Sequence, residues 1–397
     1  MRVVHVHRIG GIGGSERHLL ALLPALVERG IDVSLVGLDD TRAAPEPFYE
    51  GLSAAGVSFE RLPCPRDLQP SLPLLLARAA RRAGADLLHT HLVHADVYGA
   101  LVPGIALVST KHNDDPFRVG PFRYVERLLA RRAARVIAIS ESLRRFNIDR
   151  VGLPATKVEV VHYGLDTLPE PWGENPPLEL PEDARVLLCV CRLTQQKGVD
   201  TAIRALPSVR AAHPGAVLLV LGEGPERARL EALARQLGVS EAVLLPGRVG
   251  DVASLYRRAD LVVHPVRWEG FGLALLEAML ASKAVVASAV SSAPELVVDG
   301  ETGSLVPPDH PEALAAAISS LLSGPLRAAA YGEAGLARAR SELSVDRMAT
   351  RTLEVYERAR RTPALSQGIL RNDWHPDRVR KPPPESTEAA TPREETK

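Results

Sequence analysis

Cysteine is scarce in this chain of 397 residues: Cys64, Cys189 and Cys191 are the only three, and the last two alternate along an apolar run. An odd count argues against a disulfide framework; Cys189 and Cys191 fit as small hydrophobes on a strand, and a reducing compartment is expected. Neither charge sign is in excess, with Lys plus Arg and Asp plus Glu at 48 each. Without a strong field of one sign, nucleic acid is not an expected partner. No stretch approaches the roughly 18 uninterrupted apolar residues of a membrane span. Met1-Arg-Val-Val-His-Val-His7 enters a strand directly, so a cytoplasmic location is expected, compatible with peripheral contact at the inner face of the cell membrane. No internal sequence repeat is present.

What the chain does have is 46% apolar residues over a length that exceeds one ordinary core, enough for two domains. Short apolar runs alternate with amphipathic helical windows, the pattern of parallel sheets covered by helices on both faces. The first series of runs covers residues 2–7, 32–37, 57–62, 85–89, 105–110, 135–140 and 157–162, with helical windows at 15–29, 72–83 and 122–134. Pro24 falls inside the first window and predicts a kink there. A second series covers 185–191, 216–221, 242–246, 260–264, 284–288 and 303–306, followed by helical windows from 311 to 361, the last opening at Ser344 as an N-cap. The predicted organisation is an α/β first domain at 1–167, a Pro- and Glu-rich linker at 168–183 and an α/β second domain at 184–344. A C-terminal helix at 345–362 and a disordered tail at 363–397 complete it.

The most informative stretch is Glu269-Gly270-Phe271-Gly272-Leu273-Ala274-Leu275-Leu276-Glu277. A strand that ends in a glycine-bracketed loop and opens a helix presents backbone N–H groups and a positive dipole end to an anion. The two carboxylates are eight residues apart, so one can sit in the loop while the other projects from the helix about two turns later. That arrangement suits a phosphorylated sugar. Upstream, Arg192-Leu193-Thr194-Gln195-Gln196-Lys197-Gly198 follows a strand and precedes a helix, placing Arg192 and Lys197 where two cations can hold a diphosphate leaving group. Two further strand-to-helix turns, at Gly222-Glu223-Gly224 and Gly247-Arg248-Val249, carry glycines that would let a ligand approach the backbone.

In the first half, Gly10-Gly11-Ile12-Gly13-Gly14-Ser15-Glu16 links the first strand to the first helix. A dinucleotide fingerprint, with Asp39 or Asp40 on the ribose, fits poorly because Glu16 stands where the third glycine belongs. His89-Thr-His91-Leu-Val-His94 has the look of a metal cluster, but its spacing matches no zinc signature. Residues 117–150 are locally basic, nine Arg against Glu126, Glu141 and Asp149. There Arg118, Arg123, Arg127, Arg131 and Arg132 alternate with apolar residues, as in a helix that packs on its own sheet or lies on an anionic membrane.

Taken together, the Glu269–Glu277 segment, Arg192-Leu193 with Lys197-Gly198, and Gly13-Gly14-x-Glu16 resemble the motifs of retaining glycosyltransferases of family 4, the glycosyl transferases group 1. The resemblance covers about residues 1–361 and implies the GT-B fold, two Rossmann-like domains facing across a cleft. It implies a hexosyl donor activated as a nucleotide diphosphate-sugar and a hydroxyl acceptor, lipid-linked in one version, in polysaccharide, lipopolysaccharide or glycolipid biosynthesis. Under it, Glu269, His112, Arg192 and Lys197 form the catalytic set. Gly13, Gly14, Gly222, Val249, Gly270, Phe271, Gly272, Leu273 and Glu277 bind the donor, with Glu277 on the ribose. No cofactor or metal is implied, since Arg192, Lys197 and helix N-termini supply the charge that a cation would. Two departures stand out: Ser291-Ser292 replaces a Gly-Gly pair before Ala293-Pro294-Glu295, and His162-Tyr163 replaces Pro-Asn before Gly164-Leu165-Asp166. The rival readings are a nucleotide-sugar epimerase of the same architecture and a non-catalytic nucleotide-sugar-binding protein.

Overall fold

The computed structural model describes residues 1–39, 46–65, 69–171, 178, 180–181 and 183–362; most of the central part of the expected linker and the expected tail at 363–397 lie outside the described residues. Seven strands, β1 (Arg2–Ile9), β2 (Asp32–Asp39), β3 (Ser58–Pro63), β4 (Leu87–His91), β5 (Ala106–Lys111), β6 (Arg135–Ala138) and β7 (Val158–Val160), form one parallel sheet in the order β3-β2-β1-β4-β5-β6-β7. Six more, β8 (Arg185–Val190), β9 (Ala216–Leu221), β10 (Val243–Gly247), β11 (Leu261–His264), β12 (Val285–Ser288) and β13 (Gly303–Val306), form a second parallel sheet ordered β10-β9-β8-β11-β12-β13. The strands are near-continuous apolar runs because helices cover both faces of each sheet; β9 is buried along its whole length. In both sheets the order reverses beside the first strand, which opens a crevice at the carboxyl ends.

Some local expectations shift. β4 starts two residues later than the 85–89 run and extends to His91, so His89, Thr90 and His91 are core residues. The first helix, Gly14–Glu28, continues through Pro24. The basic window is turned partly inside out. Arg118 is buried and donates to the Glu126 carboxylate from Nε (2.9 Å) and Nη2 (2.8 Å). Arg127 donates to the Val151 carbonyl at 2.7 Å, and Arg132 to those of Val102 and Ile105 at 2.8 Å. Along the helix Phe122–Arg132 the exposed side chains include Tyr124, Val125 and Leu128, while Glu126 faces the core.

The last helix, Val345–Arg361, is capped by Ser344, whose Oγ accepts from the Arg347 N–H at 3.3 Å. It lies on the first sheet: Met348, Ala349, Val355, Tyr356 and Ala359 join a core with Leu19, Leu22, Leu26 and Ile137. Gly164 is required where this helix returns, since a Cβ there would sit 2.1 Å from the Ser344 carbonyl oxygen. The Leu165 N–H donates to the Leu343 carbonyl at 3.0 Å, and Asp166 accepts from the Val345 N–H at 3.0 Å.

Candidate active site

The wall supplied by the second sheet is built by two loops laced together. Gly198 ends the turn after β8 at φ +61, and a Cβ there would lie 1.9 Å from the Pro265 carbonyl oxygen. This close approach sets Lys197 beside the loop after β11, where its ammonium pairs with the Glu269 carboxylate. The Arg267 N–H donates to the Gln196 carbonyl (2.8 Å) and the Gln196 amide to that of Trp268 (3.0 Å). Glu269 Oε1 also accepts from the Gly270 N–H at 3.1 Å, and His264 Nε2 lies 3.8 Å from Oε2. Burial alone would raise the Glu269 carboxyl; the Lys197 ammonium outweighs it and, with the Gly270 N–H, holds the group below its usual range, so it is a carboxylate. One turn along the helix Leu273–Leu280, Glu277 is buried, accepts from the Tyr256 hydroxyl at 2.9 Å and pairs with Arg17 of the first helix. Burial raises its carboxyl, against the pull of Arg17 and Tyr256.

The opposite wall is the loop after β5. A buried charged cluster anchors it at both ends: Lys111 Nζ lies 2.6 Å from Asp96, and Arg118, held by Glu126, donates to the Asn113 carbonyl and to Asn147 Oδ1 at 2.6 Å. Between these anchors, the His112 carbonyl oxygen would lie 2.3 Å from a Cβ on Gly270, so only glycine fits there. Ser140 caps the helix Glu141–Arg145 and donates to the Gly270 carbonyl at 2.8 Å. Asp114 accepts from Ser291 Oγ at 3.2 Å, and that same Oγ accepts from the Glu269 N–H at 3.2 Å. Glu295 closes the far side, taking the N–H groups of Glu141 (2.7 Å) and Ser142 (2.6 Å) and His162 Nε2 (3.1 Å). Ser291 holds φ +48, a left-handed conformation that suits the glycine of the family pattern better than serine.

Glu269, Lys197, Gly270, Gly272, Leu273 and Glu277 therefore share one wall, with the His112 loop and Gly14 against it; Leu273 Cδ1 lies 3.6 Å from a Cβ built on Gly14. Phe271 is buried against the Tyr163 ring, centroids 5.1 Å apart, so its side chain is part of the packing between the two sheets. The Gly13 N–H is taken by Glu16 Oε2 at 2.9 Å, and His7 bonds the other oxygen at 3.0 Å, which braces the glycine loop. Arg192 is exposed and is not paired with Glu269; its charge acts on Asp115. The glycines at 222 and 224 also have a structural reason. Cβ atoms there would lie 2.0 Å from the Cys191 and 2.2 Å from the Leu193 carbonyl oxygens, so both glycines serve the packing of the Arg192 turn. Val249 is half-buried. Asp39 is engaged by Arg61 at 2.6 Å and by the Tyr49 hydroxyl, a structural role.

Sequence reasoning missed Arg17, Ser140, Tyr163 and the engagement of Ser291. Only Ser140, a serine before Glu141 at a strand end, carried a local signal as an N-cap. His89 and His91 also meet residues no pattern joined to them. β1 runs beside β4 in the register His5–His89 and His7–His91, and the ligand atoms of His5, His89 and His91 lie within 4.8 Å of one another. All six of their ring nitrogens are in hydrogen bonds, to one another, His112, Thr110 and Tyr356. A metal ion there would have to break at least two of them. His94 is separate, 2.8 Å from Arg8.

Two facing parallel sheets with paired carboxylates and a lysine at the junction define a glycosyltransferase of the GT-B class, and comparison with known proteins agrees. Residues 12–167 match the pattern described as Glycosyltransferase Family 4 and residues 173–338 that of Glycosyl transferases group 1. A glycogen synthase of Mycobacterium tuberculosis is 30% identical over 385 residues, covering 88% of this chain and 92% of its own. A D-inositol 3-phosphate glycosyltransferase of Acidothermus cellulolyticus is 31% identical, covering 80% of each. Among solved structures, Anabaena HepE in complex with UDP and glucose superposes with a TM-score of 0.75 at 23% identity, over 90% of this chain and 99% of that one. The chain belongs to the group 1 glycosyltransferases.

Proposed function

We propose that the enzyme transfers a hexosyl group, with retention at the anomeric carbon, from a nucleoside diphosphate-sugar to a hydroxyl acceptor at a membrane surface in polysaccharide, lipopolysaccharide or glycolipid biosynthesis. The observation that carries the reading is Glu269, kept ionised by Lys197 at the junction of the two walls. An ionised carboxylate there stabilises the positive charge that develops on the sugar as the diphosphate leaves. Lys197 and Arg192 take up the leaving charge, and a phosphate oxygen accepts the acceptor's proton on the same face. Glu277, with Tyr256 orienting it, accepts from the ribose hydroxyls once Arg17 yields. HepE's complex with UDP and glucose supports a donor of this class. Charge from these side chains makes the reaction metal-independent, so turnover survives EDTA.

The test is product analysis with a panel of nucleotide sugars, reading nucleotide release and the anomeric configuration by NMR. Lys197→Ala and Arg192→Ala are each expected to lower kcat by about a hundredfold. Inverted product, or unchanged turnover in both variants, overturns the mechanism. The membrane part rests on Phe117, Tyr124, Val125 and Leu128, all exposed, beside Arg123 and Arg131. Among the described residues no single helix is long and apolar enough to cross a membrane, so the contact is peripheral. Cosedimentation with anionic vesicles should weaken with salt and in Arg123→Glu/Arg131→Glu; a protein that ignores such vesicles at low salt has a soluble acceptor.

A further inference from the structure

A continuous hydrogen-bonded chain leads from the junction into the core beneath the first sheet. The Tyr163 hydroxyl bonds His112 Nδ1; His112 Nε2 bonds His91 Nδ1 at 3.1 Å; His91 Nε2 bonds His5 Nδ1 at 3.0 Å. His5 Nε2 then bonds the Tyr356 hydroxyl at 3.2 Å, which bonds His89 Nδ1 at 2.7 Å, and His89 Nε2 ends the chain on Thr110 Oγ1 at 2.7 Å. Tyr163, His91, His5, Tyr356 and His89 are all buried. Leu92, next to His91, holds φ +67, backbone strain at the point where the chain passes from strand to helix.

A neutral imidazole carries one proton, so one nitrogen donates and the other accepts. Every link of this chain then has one proton only if all four histidines share a tautomer. With all protons on Nε2, Tyr163 donates to His112, and Thr110 at the far end accepts. With all protons on Nδ1, Thr110 donates and the Tyr163 hydroxyl proton loses its partner. A phenol is the stronger donor and its proton is confined near the ring plane, whereas the threonine hydroxyl can rotate to another acceptor. The first arrangement is the favoured one.

We infer that His5, His89, His91 and Tyr356 are positioning residues that lock His112 as the Nε2–H tautomer, leaving its Nδ1 lone pair toward the junction as an acceptor. Tyr163 occupies that lone pair in the structure. In the transfer reaction, on whose reading this last step rests, a donor-sugar hydroxyl takes the place of Tyr163. The C-terminal helix is thereby connected to the active site through one hydroxyl group.

The test begins with selective 15N-histidine labelling of the full chain. His112 is identified by signals lost in His112→Gln, and its tautomer is read from the two ring-nitrogen shifts without substrate, so the result stands whether or not the transfer reading does. Nε2–H is expected; Nδ1–H, or rapid averaging of both, overturns the proposal. Tyr356→Phe removes only the linking hydroxyl and should admit an Nδ1–H population at His112, with kcat down by about tenfold, or 1.4 kcal/mol, and donor KM unchanged. Thr352→Val is the control, since Thr352 lies buried on the same helix and bonds only the Met348 carbonyl at 2.8 Å; it should lower Tm without moving the tautomer. If Tyr356→Phe does not fold, Thr110→Val interrupts the chain's end and should give the same shift in tautomer. An unchanged His112 tautomer in the folded variant overturns the inference.

Discussion

The two walls of the cleft are shaped by opposite means. The first sheet carries charge and imidazole into its interior: His5, His7, His89, His91, Asp96, Lys111, Arg118 and Glu126 are all buried, and they hold the His112 loop through side-chain bonds. The second sheet buries fewer charged groups and, beside the Lys197–Glu269 pair, shapes its wall largely with backbone contacts at Gly198, Gly222 and Gly224, whose missing Cβ atoms let carbonyl groups approach. Side-chain networks are sensitive to protonation; glycine contacts are sensitive to volume. The same α/β layer plan can therefore be positioned by two kinds of force, and the two walls should fail under different perturbations.

Acid should separate them with the largest effect. Burial lowers His5 and His18 to about 3 and His89, His91 and His112 well below their ordinary value, while His264 in the second half is lowered to about 4. These groups stay neutral in the folded chain and gain protons in the unfolded chain below about pH 6.5, so stability falls as pH drops through that value. At pH 5.5 each is expected to cost about 1.4 kcal/mol, and the first half holds five of the six. Glu16, Glu126 and Glu269, held low by their partners, add their losses only below the ordinary carboxylate range, while Asp114 and Glu277, raised by burial, offset part of the loss. Hydrogen exchange at pH 7.5 and 5.5 should show β1, β4 and β5 losing protection before β8 and β9; equal loss in both sheets would break the comparison.

A single side chain comes next. Glu126→Ala leaves Arg118 buried without its carboxylate and should cost about 3–5 kcal/mol in denaturant titration. Because Arg118 grips Asn113, turnover should fall with it. The smallest effect is expected on the other wall. Gly224→Ala places a methyl against the Leu193 carbonyl, an overpacking worth about 1–3 kcal/mol. Its stability deficit should be independent of pH between 7.5 and 5.5. A pH-dependent deficit would mean that the packing of the Arg192 turn, too, rests on titrating side chains.

Much of this protein was written locally. Apolar runs separated by helical windows specify parallel strands and crossover helices because strand and helix periods differ and are read within a few residues. The Glu269–Glu277 spacing and the Lys197-Gly198 turn specify a strand end that opens a helix for the same reason. Residue type did not specify direction: the arginines of the 117–150 window look alike in sequence, yet Arg118 is buried and Arg123 is not. Nor did it specify partners. His5, His91, His112 and Tyr356 fall in one chain only because β1, β4 and β5 are neighbours and the last helix returns across them. Such contacts span 86 residues from His5 to His91 and 351 from Tyr356 to His5. Hydrogen bonds act over about 3 Å, so no pattern within a strand or helix can encode them, and the tertiary structure alone decided which histidines meet.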